Sequence, residues 1–331
     1  MATSLIIGGT RNLGPALVAA LLERGDQVAV FNRGVTPDDL PPAVERLHGD
    51  RADEAALRSA LRARHFDLVV DTTLYTGAEA QAAVRVLAGR AARYVAWSTG
   101  NVYLVRTGLI RPFAERDYDG PLMPEPPASR ALDHRNWVYG IGKRAAEDAL
   151  AAAHTSLGFP AVVLRMPMIN SERDHYGRLA GYVRRMLDGG PILLPHDELP
   201  VRHVYGGDVV AATLLAARPA VPAGIALNVS QDETLALEEM LGLVAAACDQ
   251  PLRARRFPRE RLEAAGLLPD CSPFSDPWMS ALANGRSKDV LGIRYTPVRQ
   301  YVPRLVEAAR ARPAETLAGY AQRTAELALR V

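Results

Sequence analysis

The chain has 331 residues, enough for one large α/β domain, or a domain with a smaller companion, and for a substantial buried core. Lys and Arg total 39 against 37 Asp and Glu, a formal charge of +2 that gives no global electrostatic case for nucleic acid or a membrane surface. Cys248 and Cys271 have neither zinc-type spacing nor a disulfide framework, the histidines do not cluster, and apolar runs such as 209–217 are too short to span a bilayer; we therefore expect a soluble cytoplasmic protein with a small-molecule partner and no metal.

Leu5, Ile6 and Ile7 read as a first buried strand and residues 16–22 as a first helix. Between them lies Gly8-Gly9-Thr10-Arg11-Asn12-Leu13-Gly14. Glycines at such a turn let the backbone come close to a pyrophosphate, and the free N–H groups of the following helix then face the anion. Arg11 stands where the usual fingerprint has its middle glycine, so the competing reading is an ordinary tight turn. Further strands are expected at 27–31, 44–48, 67–71 and 93–98, with helices at 53–63 and 78–87. Short apolar strands alternating with helices predict an α/β fold: a doubly wound parallel Rossmann sheet with a smaller C-terminal substrate domain.

An acidic residue at the end of the second strand would bind a ribose 2′-hydroxyl, but Asn32 and Arg33 stand there. A guanidinium suits a 2′-phosphate, and Arg11 can supply a second, so NADP is preferred over NAD; the alternative is that both arginines are solvated surface charges. Asp50 is a candidate for the adenine amino group and equally a cap for the helix from Asp53.

Trp97-Ser98-Thr99-Gly100-Asn101-Val102-Tyr103 leaves the carboxyl end of the fifth strand, where ligands of open α/β sheets bind. The proline-rich segment 104–136 reads as an irregular substrate lid. Tyr139-Gly140-Ile141-Gly142-Lys143 then opens a helix expected to run to about residue 154. Tyr139 and Lys143, four apart, share one helix face, and a cation beside the phenol, with a nicotinamide ribose, would lower its pKa towards working pH. Gly140 and Gly142 each cost about 1 kcal/mol inside a helix, which close approach of a ligand or another backbone would explain.

In this order and spacing the three stretches resemble the extended short-chain dehydrogenase/reductase family of NAD(P)-dependent epimerases, dehydratases and reductases. The resemblance implies Thr99 polarising a substrate oxygen, Tyr139 as acid or base, and Lys143 binding the nicotinamide ribose. It implies cofactor contacts from Gly8, Thr10, Arg11, Asn12, Leu13, Gly14, Asn32, Arg33, Asp50, Arg51, Thr72, Ser98 and Pro167, and substrate contacts from Asn101, Arg173, His175 and Arg202. Gly100 and Asn101 stand where sugar-nucleotide dehydratases carry an Asp-Glu pair, which puts dehydration in doubt. Leu164-Arg165-Met166-Pro167, 204–209, Asn228-Val229-Ser230 and 287–292 continue the likeness. We expect a cofactor domain at 1–167 plus 205–223, a substrate part at 168–204 plus 224–290, and C-terminal helices at 291–331. In the tail 313–330, charges are expected on one side and Leu317, Tyr320, Leu327 and Leu329 partly buried. The implied function is hydride transfer at a carbonyl or carbinol carbon of a small molecule, such as a nucleotide sugar, by a homodimeric reductase or epimerase. Gly-Gly-Thr-Arg with Phe31-Asn32-Arg33-Gly34 also resembles the chloroplast stem-loop-binding branch, which implies RNA binding instead; a redox-sensing regulator is a third reading. Intact Thr99, Tyr139 and Lys143 argue against both.

Overall fold

The computed structural model describes residues 1–197, 199–313 and 317–330. Its strands are β1 (Thr3–Ile7), β2 (Gln27–Asn32), β3 (Glu45–His48), β4 (Leu68–Asp71), β5 (Tyr94–Thr99), β6 (Ala161–Met166), β7 (Ile169–Asn170), β8 (Ile192–Pro195), β9 (Val204–Tyr205), β10 (Ile225–Asn228) and β11 (Ala254–Phe257). The helices are α1 (Gly14–Glu23), α2 (Glu54–Leu61), α3 (Gly77–Leu87), α4 (Asn101–Leu104), α5 (Ala131–Leu157), α6 (Arg178–Leu187), α7 (Gly206–Ala216), α8 (Leu237–Ala247), α9 (Arg259–Ala264), α10 (Gly285–Leu291), α11 (Val298–Arg310) and α12 (Arg323–Ala328).

Seven strands form one parallel sheet in the order β10-β6-β5-β4-β1-β2-β3. Alternating side chains separate its two faces, as the two-residue period of a strand requires. Ile6, Val30, Val70 and Leu164 pack with Leu17, Leu21 and Val209 of α1 and α7. Leu5, Ile7, Phe31 and Val69 pack on the other face with Leu57, Val84 and Leu150 of α2, α3 and α5. Burial on both faces explains why these strands read as continuous apolar runs. The order reverses between β1 and β4, which opens a crevice at their carboxyl ends. Ile225–Asn228, from the stretch expected in the substrate part, pairs with β6 as an edge strand.

A separate cluster joins α6, α8 and α11 around Tyr182, Met240, Leu241, Tyr301 and Leu305. The tail closes against it, although residues 314–316 lie outside the described part. The expected partial burial holds for Leu317, Tyr320 and Leu329 but not for Leu327, and two charges lie inside. Arg323 and Glu326 are buried and Leu327 is exposed, because Arg185, itself fully buried, donates to Glu326, and Arg323 bridges Glu326 and Asp188. Buried charges survive only when paired, and here each member has its counter-ion.

One further expectation is corrected. The helix carrying Tyr139 begins at Ala131, eight residues earlier than its sequence motif suggested, and spans 27 residues. Trp137 holds this added length by donating to the Met123 carbonyl, and Asp133 by accepting from Trp278. The irregular segment before it, expected to act as a substrate lid, is anchored at Phe113 and Glu115. Phe113 exchanges backbone hydrogen bonds with the 281–283 stretch, and Glu115 and the Phe113 carbonyl both accept from Asn228. Among the described residues no helix is long and apolar enough to cross a membrane.

Removing Glu326 strands the Arg185 guanidinium in the core. Glu326→Ala is therefore expected to lower stability by about 3–5 kcal/mol in urea unfolding, the cost of an uncompensated buried charge; a change below about 1 kcal/mol would show that the carbonyls around Arg185 suffice.

Candidate active site

The crevice at the β1/β4 reversal is a cavity of about 640 Å³. Its floor is the glycine turn. Gly8 and Gly9 have φ of +100° and +88°, a region that disfavours side chains. A Cβ on Gly8 would stand 2.3 Å from the Thr72 hydroxyl, and one on Gly14 would stand 2.3 Å from the Gly9 carbonyl carbon, so α1 meets β1 with no side chain between. This leaves backbone facing the cavity at the start of α1, the arrangement an anionic phosphate requires. Asn32 closes the turn by donating to the Gly8 carbonyl and accepting from Gly34 N–H.

Arg11 and Arg33 line the same cavity. Arg11 donates to Thr36 at 2.8 Å, while Arg33 is exposed with no side-chain partner among the described residues. Asp50 lines the wall and accepts from Ala52 N–H; the cap of α2 is Asp53, which accepts from Ala55 and Ala56. Arg51 is buried, donates to Asp71 and lies 3.4 Å from Glu79, while its Nε has no hydrogen-bond partner.

On the opposite wall stand Tyr139 and Lys143 of α5. The Lys143 ammonium is buried, donates to the Trp97 carbonyl at 2.8 Å and lies 5.0 Å from the Tyr75 ring centre and 5.8 Å from that of Tyr139. Burial lowers its pKa to about 8, against the opposing pull of Asp71, Glu147 and Glu79. The lowering expected of the Tyr139 pKa needs a nicotinamide ribose beside the lysine; without it the phenol is shifted the other way. Burial pushes the phenol above its ordinary value, and the Thr99 hydroxyl only partly offsets this. Tyr139 is thus a protonated phenol at neutral pH.

The helical glycines have a backbone explanation. A Cβ on Gly142 would stand 2.6 Å from the Tyr75 carbonyl, and one on Gly140 would stand 2.9 Å from the Asn101 carbonyl, so both let α5 lie flat on the loops that end β4 and β5. Tyr75 is held from below by Glu79, whose carboxylate accepts from the backbone N–H of Tyr75 and Thr76 at 2.7 and 2.8 Å. Further along α5, buried Glu147 accepts from Ser98 and takes both Nε and Nη2 of Arg165. Arg165 also donates to the Tyr103 hydroxyl, which donates to Asn228, so α5, β5, β6 and β10 share one hydrogen-bonded chain.

Of the residues expected from sequence, Gly8, Thr10, Arg11, Asn12, Leu13, Asn32, Arg33, Asp50, Arg51, Thr72, Ser98, Tyr139, Lys143 and His175 line this cavity. Gly14 serves it from behind through packing. Thr99 and Asn101 are buried beside it and hydrogen-bond each other, and Pro167 is buried after β6. Arg173 is instead an exposed partner of Asp39. Arg202 spends its guanidinium on the Leu282 carbonyl, Thr234 and Asn284, which leaves no fork for a diphosphate. Tyr75, Glu79 and Tyr176 also line the cavity and were not anticipated. Glu79 had a signal in its capping box with Thr76; the two tyrosines, on irregular segments, had none.

The sequence matches the NAD dependent epimerase/dehydratase family over residues 4–230. It is 26% identical to 2'-dehydrokanamycin reductase of Streptomyces kanamyceticus over 81% of this chain and 74% of that protein. It is 33% identical to the chloroplast stem-loop binding protein of 41 kDa b of Arabidopsis thaliana, over only 35% of this chain and 34% of that one. Among solved structures, an enzyme of Bordetella bronchiseptica in complex with NAD+ superposes with a TM-score of 0.71, covering 94% of this chain and 99% of that one at 23% identity.

A lysine with a depressed pKa costs stability in full below its folded value, and that cost fades as pH rises towards its unfolded value, because the unfolded chain then binds more protons. Lys143→Met is therefore expected to stabilise the cofactor-free protein by about 1–3 kcal/mol at pH 7, with the gain disappearing between roughly pH 8 and 10.5. Thermal unfolding of both proteins across that range tests this; a pH-independent difference would mean that Lys143 is not desolvated.

Proposed function

The chain belongs to the NAD dependent epimerase/dehydratase family, and from that membership we propose an NAD(P)-dependent oxidoreductase of the extended short-chain dehydrogenase/reductase type, acting at a carbonyl or carbinol carbon of a small molecule. The observation that carries this reading is the meeting of the glycine cradle, Tyr139 and Lys143 around one cavity. A nicotinamide dinucleotide, when bound, supplies or accepts the hydride at the reacting carbon. Gly8, Gly9 and the start of α1 hold its pyrophosphate, and the desolvated Lys143 ammonium fits a ribose hydroxyl. Thr99 and Tyr139 hydrogen-bond the substrate oxygen, and Tyr139 moves the proton.

Reduction of a carbonyl is the direction we favour, since a reductase is among the curated relatives. Epimerisation, with a nucleotide sugar as substrate, uses the same groups. Dehydration is disfavoured by packing: a Cβ on Gly100 would stand 2.0 Å from the Ser280 hydroxyl, so no acidic side chain fits there. Arg33, without a partner at the cavity wall, supports a preference for NADP through its 2′-phosphate, with Arg11 beside it. In this reading 168–204 and 224–290 bind the substrate, and residues 1–167 and 205–223 hold the cofactor. A cytoplasmic homodimer completes the reading. RNA binding is not favoured, since the stem-loop-binding relative matches a third of the chain and the basic excess is small.

Fluorescence titration with NADPH and NADH is the first test, and binding of neither would sink the proposal. Arg33→Ala is expected to weaken NADPH by about tenfold or more and NADH little; equal losses would remove Arg33 from 2′-phosphate recognition. Tyr139→Phe should leave cofactor affinity nearly unchanged and lower turnover at least about a hundredfold, and near-normal turnover would exclude it as the acid.

A further inference from the structure

A second cavity, of about 330 Å³, lies between the segment after α4 and the early turns of α5, and shares no lining residue with the first. Tyr103 and Phe113 form a buried aromatic wall, Trp278 adds a half-buried one, and three arginines, 106, 111 and 130, stand around them.

None of the three arginines has a carboxylate partner among the described residues, in contrast to the buried Arg51, Arg165, Arg185 and Arg323. Two are clamped by backbone instead. Arg106 donates from Nε to the Pro121 carbonyl and from Nη1 to those of Asp117 and Asp119, leaving Nη2 unused. Arg111 donates from Nε to Met279 and from Nη2 to Pro277, leaving Nη1 unused, and its guanidinium stands 5.4 Å from the Phe113 ring centre. Arg130 is exposed and makes no side-chain hydrogen bond among the described residues. Carbonyls fix the direction of a guanidinium without cancelling its charge. Burial accordingly holds the Arg111 pKa below its ordinary value, the signature of a cation that has lost water without gaining an anion. The single carboxylate on the wall, Asp133, is engaged by the Trp278 indole N–H, so the lining carries three cations and one anion.

We propose that this cavity is a binding site for a small organic carboxylate with a flat apolar body. The carboxylate takes the unused guanidinium N–H groups of Arg106, Arg111 and Arg130, and the apolar body lies against Phe113, Tyr103 and Trp278. Charge-assisted bonds to preset donors give orientation, and the aromatic walls give selectivity over inorganic anions. The volume lies at the lower end for small-molecule sites, which suits a single ring rather than a nucleotide. The proposal stands independently of the cofactor reading.

Calorimetric titration of the full chain with phenylacetate tests it, with benzyl alcohol and inorganic phosphate as the two half-probes. We expect saturable one-to-one binding of phenylacetate and at least about tenfold weaker binding of each half-probe. Arg130→Gln, which disturbs no intrachain bond, should weaken phenylacetate about fivefold, and Arg111→Gln about tenfold or more. No saturable binding of phenylacetate overturns the proposal. So does phosphate binding as tight as phenylacetate, which would mean an adventitious anion only, and so does phenylacetate affinity unchanged by Arg130→Gln.

Discussion

The ion pair between Glu147 and Arg165 is the joint on which the site depends. Both side chains are buried, one on α5 and one on β6, and a buried pair is tolerated when its remaining hydrogen-bonding capacity is also used. Here it is: Ser98 donates to the free carboxylate oxygen and the Tyr103 hydroxyl takes the third guanidinium nitrogen. The result fixes the rotation and depth of α5 against the sheet, and Tyr139 and Lys143 inherit that placement. Tyr103 carries the constraint on through Asn228 to Glu115 and Phe113, so the segment expected to act as a lid is anchored to the same network.

Close backbone approach is the second constraint, and it acts at both ends of the cavity. Gly14 brings α1 onto the glycine turn, and Gly142 brings α5 onto the Tyr75 carbonyl. Tyr75 then covers Lys143, and the loss of water lowers the lysine pKa and raises that of Tyr139. Sequence spacing shows that a cation is one turn from the tyrosine but not how much water either group retains before a cofactor ribose joins them. Desolvation and attraction have opposite signs for the phenolate, and here desolvation wins.

The arginines illustrate the same limit. Arg33, Arg202 and Arg111 are alike in sequence, each beside a proposed ligand segment or turn. In the fold, Arg33 is free at the cavity wall, Arg202 is consumed by Thr234, Asn284 and a carbonyl, and Arg111 is held by carbonyls with one nitrogen to spare. Their capacity to meet an anion is decided by residues tens to hundreds of positions away.

Local pattern suffices for the alternation of strands and helices, the glycine turn and the shared helix face of Tyr139 and Lys143, because two-residue and 3.6-residue periods, glycine stereochemistry and i,i+4 spacing act over a few neighbouring residues. It also exposed the family likeness, since those motifs recur in order. Long-range packing settles where α5 begins, that Ile225–Asn228 completes the sheet, that Arg323 and Glu326 lie inside, and which arginines remain unpaired. These follow from burial and from partners distant in the chain, and the free energy of a charge or a phenol depends on the water removed around it, which no local pattern specifies.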